Sequence, residues 1–172
     1  MTDESRLRAW QRAGAARRLD DGAGSRTALQ VQALMSRPVI TVDADARLGE
    51  ARALLEEHRI HHLLVEDRGR IVGIISDRDV ARALSPHVGR PSSSARDEAT
   101  LDQPIYHVAS FRLTVIDRRA PVEEAAAIFV ERAISALPVV DDAGGICGIV
   151  TSRDLLRGLL ACVLPQLHQE SA

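Results

Sequence analysis

The sequence predicts an α+β fold of two β-α-β-β-α repeats packed as a pseudo-twofold pair behind an N-terminal leader. Three observations carry this. Residues 71–79 read IVGIISDRD and residues 146–154 read ICGIVTSRD, a displacement of 75. Upstream the displacement is 74, setting Leu48 over Val122, Ile60 over Ile134, Leu63 over Leu137 and Val65 over Val139, so one residue has been added in the second copy's turn. Within each copy the apolar spacing switches from strand to helix periods in the same order, and repeats of this kind are read before any single element.

Taken in order, Val39–Val42 and Leu113–Ile116 are β-branched or aliphatic runs and are predicted as first strands. Leu48, Ala51 and Leu55 recur at helical spacing, as do Val122, Ala125, Ala126, Phe129 and Ala133, so each copy continues as an amphipathic helix. Pro121 suits a first turn, with Glu123 and Glu124 favouring its dipole. Paired strands follow, HLLVE with RIVGIIS and ALPVV with ICGIV, joined through Asp67-Arg68-Gly69 and through Asp141 to Gly145. A last helix begins at Ser76 or Thr151. A lone unit of about 60 residues buries only roughly 60% of its surface, which is why the copies are expected to pack on each other.

The domain boundaries that follow are a leader over 1–30, a first repeat over 31–84, a linker over 85–104, a second repeat over 105–164 with an extended C-terminal helix, and a tail over 165–172. The linker is polar and rich in Ser, Pro and Gly, and is read as flexible. The leader holds Trp10 and six Arg against four acids, and is read as partly helical or mobile.

The chain has 172 residues, a formal net charge of -2, 45% hydrophobic residues and two cysteines, Cys147 and Cys162, in no metal-binding spacing. That places it among soluble globular proteins, with the cytoplasm as the expected compartment. No stretch is apolar and long enough for a signal or a membrane span, and no basic surface asks for nucleic acid. An enzyme would need a nucleophile with a base, a poised acid-base pair or a metal, and no such group is legible; no metal site and no catalytic residue is assigned.

MSRPVITVDADARLGEARALLEEHRIHHLLVEDRGRIVGIISDRD and RLTVIDRRAPVEEAAAIFVERAISALPVVDDAGGICGIVTSRD together resemble two consecutive CBS domains, the family named after cystathionine β-synthase, over about residues 31–160. The resemblance implies a non-enzymatic regulatory or sensor module. Its paired clefts would take AMP, ADP or ATP as ligand rather than a catalytic cofactor, and its chains would form a homodimer; because no effector domain accompanies the pair, an unidentified separate protein target is the expected partner. A structural interaction module with no ligand is the alternative.

At the repeated motif the residues speak for themselves as well. In G-I-I-S-x-x-D a strand gives way to a helix, so the Ser76 hydroxyl converges with free N–H groups on one point, and Asp79 one turn later could accept from a ribose diol; Thr151 and Asp154 repeat this. The same spacing is a capping box, in which the hydroxyl caps the helix and the carboxylate reaches back, and the two roles are compatible. The resemblance assigns hydroxyl to phosphate and aspartate to ribose. It implies an apolar slot for adenine at Thr41, Val42, Ile60 and Leu63 in the first copy, and at Val115, Ile116, Ile134 and Leu137 in the second. It also implies a phosphate contact from His61 or His62, whose counterparts are Ser135 and Ala136, so the clefts should differ. Arg78 and Arg153 are either solvated or phosphate contacts, and Pro138 is the family's usual residue where the first copy has Leu64. His58, His61 and His62 are not expected to converge on a metal, since neighbours along a strand point to opposite faces.

Overall fold

The computed structural model describes residues 29–169, and for 162–169 the backbone alone. The leader's residues 1–28 and the last residues of the tail therefore lie outside the described residues. Two three-stranded sheets form, each with a parallel pair and an antiparallel pair. In the first half β1 (Thr41–Asp43), β2 (His62–Asp67) and β3 (Arg70–Ser76) lie in that order, with helices α1 (Leu48–His58) and α2 (Asp77–Ala83). After a short helix α3 (Ala95–Glu98), the second half repeats the plan with β4 (Ile116–Asp117), α4 (Val122–Arg132), β5 (Ala136–Val140), β6 (Ile146–Thr151) and α5 (Ser152–Gln169).

The first strands are shorter and later than the apolar runs that suggest them, because Val39, Ile40 and Leu113 to Val115 lie outside the ladders. Both first helices end on a residue in the left-handed region, Arg59 (φ 52°) and Ala133 (φ 52°), which turns the chain sharply into the next strand. In each hairpin alternate side chains face opposite ways. Leu63, Val65 and Ile75 fill the first core, and Leu137, Val139 and Val150 fill the second, each fully buried.

The segments that lead into the repeats cross over. Val31, in a 3-10 turn at the start of the first repeat, is fully buried in the second core, and Ile105, in the matching turn of the second, is fully buried in the first. Ser36 bridges Ile149, and Ser110 bridges Ile74. Grouping by chain order therefore differs from grouping in space, and the crossing ties the halves together. Gly73 permits one crossing. A Cβ there would meet the Ser110 carbonyl oxygen at 2.9 Å, and a backbone atom cannot step aside as a side-chain tip does. Gly73→Ala is expected to lower stability by about 1–3 kcal/mol, the range for overpacking. Unchanged denaturant unfolding would contradict this contact.

The segment 85–104, read from composition as a flexible linker, is instead tied down. Ser85 and Ser94 hydroxyls donate to the two oxygens of Asp97 at 2.5 and 2.6 Å, Ser94 N–H adds a bond at 2.9 Å, and these pull the Asp97 carboxyl to about 2. The serines that suggested flexibility serve as caps and turn locks. At the other end, the tail expected from residue 165 is helical to Gln169, past Pro165, whose ring denies the helix one N–H donor. Among the described residues no helix is long and apolar enough to cross a membrane.

Candidate functional site

Two clefts lie between the sheets, and each is built from both halves. At the first, of about 280 Å³, Ser76, Asp79, Arg78 and Arg82 of the first half face Ile134, Ser135, Ala136 and Pro138 of the second. At the second, of about 170 Å³, Thr151, Asp154, Arg153 and Arg157 of the second half face Ile40, Ile60, His61 and Leu64 of the first. The grouping by copy expected from the sequence is thus corrected: each hydroxyl-aspartate motif meets the apolar residues of the other half. The cause is the pseudo-twofold arrangement, which turns each helix start across the interface.

The parity of the strands corrects the apolar slots too. His62 and Leu64 face a cleft while Leu63 faces the core, and Ala136 and Pro138 face a cleft while Leu137 faces the core. Val42 and Ile116 are likewise core residues, half-buried Thr41 lines neither cleft, and Val115 is exposed. A one-residue step along a strand moves a side chain to the opposite face, so a strand placed correctly to within one residue still yields the wrong lining. The missing linings, Pro38 to Ile40 and Arg112 to Thr114, come from the irregular segments before β1 and β4. Periodicity carries no signal there. Ile60, His61, His62, Ser76, Arg78, Asp79, Ile134, Pro138, Thr151, Arg153 and Asp154 do line the clefts.

Both motifs are closed as capping boxes. Asp79 Oδ2 accepts from Ser76 N at 3.1 Å and from its hydroxyl at 2.5 Å, while Asp79 N–H donates to Ser76 Oγ at 3.2 Å. Asp154 Oδ2 accepts from Thr151 N at 2.9 Å and from its hydroxyl at 2.6 Å, with the return bond at 3.3 Å. Capping occupies one carboxylate oxygen. The other, Oδ1, makes no hydrogen bond among the described residues and lies 3.9 Å from the guanidinium of Arg82 or Arg157. An acceptor therefore remains in each cleft.

The histidines belong to the junction between the clefts, not to the first cleft alone. His61 Nδ1 pairs with Asp77 at 2.7 Å and its Nε2 meets the Arg153 guanidinium at 3.3 Å, while His62 Nε2 bonds Ser135 Oγ at 3.1 Å. His62 lines both clefts. Burial pushes the His62 imidazole below its ordinary value, against the opposing pull of the Asp77 carboxylate. The unfolded chain then takes up this proton at higher pH than the native one. The stability involved is present above the ordinary imidazole range and is lost as pH falls through the lowered value. Between about pH 7 and about pH 5 the melting temperature is expected to fall more for the native sequence than for His62→Gln. Equal slopes would remove the effect. Among the described residues no group of three His, Cys, Asp or Glu is placed to hold a metal.

Comparison with known proteins agrees with this architecture. The CBS domain family model matches residues 31–86 and 105–161. An L-aspartate semialdehyde sulfurtransferase of Methanocaldococcus jannaschii is 32% identical over 128 residues, 74% of this chain, although the chain spans only 22% of that enzyme. A CBS domain-containing protein of Dictyostelium discoideum is 31% identical over 137 residues, 78% of this chain and 94% of that protein. A crystallised CBS domain pair in complex with 5-methylthioadenosine and S-adenosyl-L-methionine superposes with a TM-score of 0.63 at 30% identity, over 77% of this chain and 96% of that one. A CBS-domain containing protein from Agrobacterium tumefaciens, at 24% identity and a TM-score of 0.63 over 76% and 98%, shares the fold. With two matched repeats, two sheets of one plan and clefts built from both, the chain belongs to the CBS domain family and is a CBS domain pair.

Proposed function

We propose that this protein is a non-enzymatic regulatory module that binds an adenine nucleotide, AMP, ADP or ATP, in the clefts between its halves and signals to a separate protein. The observation that carries the reading is the composition of each cleft: a hydroxyl-aspartate helix start faces an apolar wall from the other half. The helix start offers phosphate and ribose contacts, and the wall offers a surface for a base. The related pair in complex with 5-methylthioadenosine and S-adenosyl-L-methionine supports an adenosyl ligand. Charge favours a phosphorylated one. Arg78, Arg82 and Arg112 stand against Asp79 in the first cleft, and Arg59, Arg153 and Arg157 against Asp154 in the second. Guanidinium forks suit phosphate and repel a sulfonium. Calorimetry on nucleotide-free protein should show AMP, ADP or ATP binding more tightly than S-adenosylmethionine. The reverse order would overturn the nucleotide assignment.

The closed capping boxes support a second reading, a structural module with empty clefts, since both motifs are satisfied without a ligand. The two readings part on thermal shift, since only a ligand-binding cleft makes the melting temperature depend on nucleotide.

In either reading the working unit is a homodimer. Leu156, Leu159 and Leu160 are more than half exposed on one face of α5, at a spacing that forms a stripe. Light scattering at tens of micromolar should give twice the chain mass, and Leu160→Arg should shift it toward the monomer. A monomeric native protein at that concentration would sink this proposal.

A further inference from the structure

The outer helical faces of the two halves differ in shape. In the first half, a groove of about 330 Å³ between α1 and α2 is lined by Leu55, Val80, Ala81, Leu84, Ser85 and Val88, with Arg52, Glu56 and Asp77 as its charged groups. α2 ends at Ala83, and Leu84, Ser85 and Val88 beyond it line the groove and leave it open. The repeat displacement puts larger apolar residues at two matching places of the second half, Leu156 for Ala81 and Leu160 for Ser85, an apolar Val130 for the charged Glu56, and Leu159 for Leu84. Val130, Leu156, Leu159 and Leu160 are 64%, 61%, 58% and 56% exposed. Leu156, Leu159 and Leu160 share one face of α5, which packs beside α4, the helix bearing Val130. One half thus presents a groove and the other a ridge.

We infer that the dimer is assembled head to tail, with the leucine ridge of one protomer's second half seated in the groove of its partner's first half. The inference rests on the homodimer proposed above and adds which surfaces meet. Meeting like to like would set leucine ridge against leucine ridge at one end and two open grooves against each other at the other. The second junction would hold a large void, and voids forfeit the contacts that close packing supplies. Meeting unlike to unlike fills each groove and covers each ridge. A twofold axis permits it, because an isologous interface pairs surface i with j and j with i.

A complementation experiment tests the arrangement. Ala81→Glu puts a charge on the groove wall, and Leu159→Arg puts the opposite charge on the ridge. Each variant alone should be monomeric by light scattering at tens of micromolar. Mixed in equal amounts they should recover a dimer, because one junction then pairs Glu with Arg and the other retains Ala81 against Leu159. In a like-to-like dimer no junction would join the two new charges, so monomers persisting in the mixture, with both variants folded by circular dichroism, overturn the inference. Cysteine pairing gives a second reading that needs no charge. In a background with Cys147→Ala and Cys162→Ala, Ser85→Cys and Leu160→Cys should each stay uncrosslinked alone under mild oxidation and crosslink when mixed. Self-crosslinking of either single variant overturns the arrangement while leaving the homodimer standing. A native protein that is monomeric removes both.

Discussion

A nucleotide-free preparation should gain about 5 to 10 °C in melting temperature when its nucleotide reaches about 100 times the dissociation constant. Ligand linkage at that ratio stabilises the native state by about 2.7 kcal/mol, and a domain pair of this size moves by about 2 to 4 °C per kcal/mol. The capping geometry sharpens the mutant test. In Asp79→Asn or Asp154→Asn the amide oxygen can still accept from the Ser76 or Thr151 N–H, so the helix keeps its cap. What is lost is the charge on Oδ1, the oxygen that capping leaves open to the cleft. Apo stability should therefore stay near normal while the ligand-dependent shift shrinks clearly. If the native protein, shown to carry no nucleotide, fails to shift with any adenine nucleotide at millimolar concentration, the sensor reading falls and the ligand-free structural module replaces it.

Truncating Leu63 or Leu137 should do something quite different. Both are fully buried and packed into the two cores, so Leu63→Ala or Leu137→Ala should cost about 2 to 5 kcal/mol from lost burial and the cavity left behind. That is a fall of about 4 to 20 °C in melting temperature. Ile40→Ala, half-buried at the second cleft, should cost less and act mainly on ligand affinity. Were Leu63→Ala to leave the melting temperature alone while abolishing ligand binding, its place in the core would be wrong, and the slot read for it from the sequence would be right after all.

The contrast between these two experiments follows from what a sequence can express. The hydroxyl-aspartate motifs were legible because they are local: Ser76 and Asp79, or Thr151 and Asp154, lie one helical turn apart, and a strand that stops there commits both side chains to the same small region. The arginines that follow each hydroxyl by two residues were legible for the same reason. The lining of the opposite wall was not. It depends on whether Leu63 or Leu64, and Leu137 or Pro138, turns toward the cleft, and an apolar run buried on both faces reads the same in either register. Ile40 and Leu113 escaped because they line a cleft from irregular backbone, where no period marks them. The linker misled for a further reason: serine and proline signal turns and caps as readily as mobility, and Asp97 decides between them only once Ser85 and Ser94 are close to it.

By itself, then, the sequence determined the duplication, the β-α-β-β-α order, the helix starts at Ser76 and Thr151 and the chemistry those starts offer, because repetition and short-range spacing are written along the chain. Only the tertiary structure decided that Val31 and Ile105 exchange cores, that each motif meets the other half's apolar wall, and that His61 stands between Asp77 and Arg153. These arrangements rest on contacts between residues far apart in the chain, as the 92 positions between His61 and Arg153 show. They exist because two marginal units can each complete a core only by borrowing from the other.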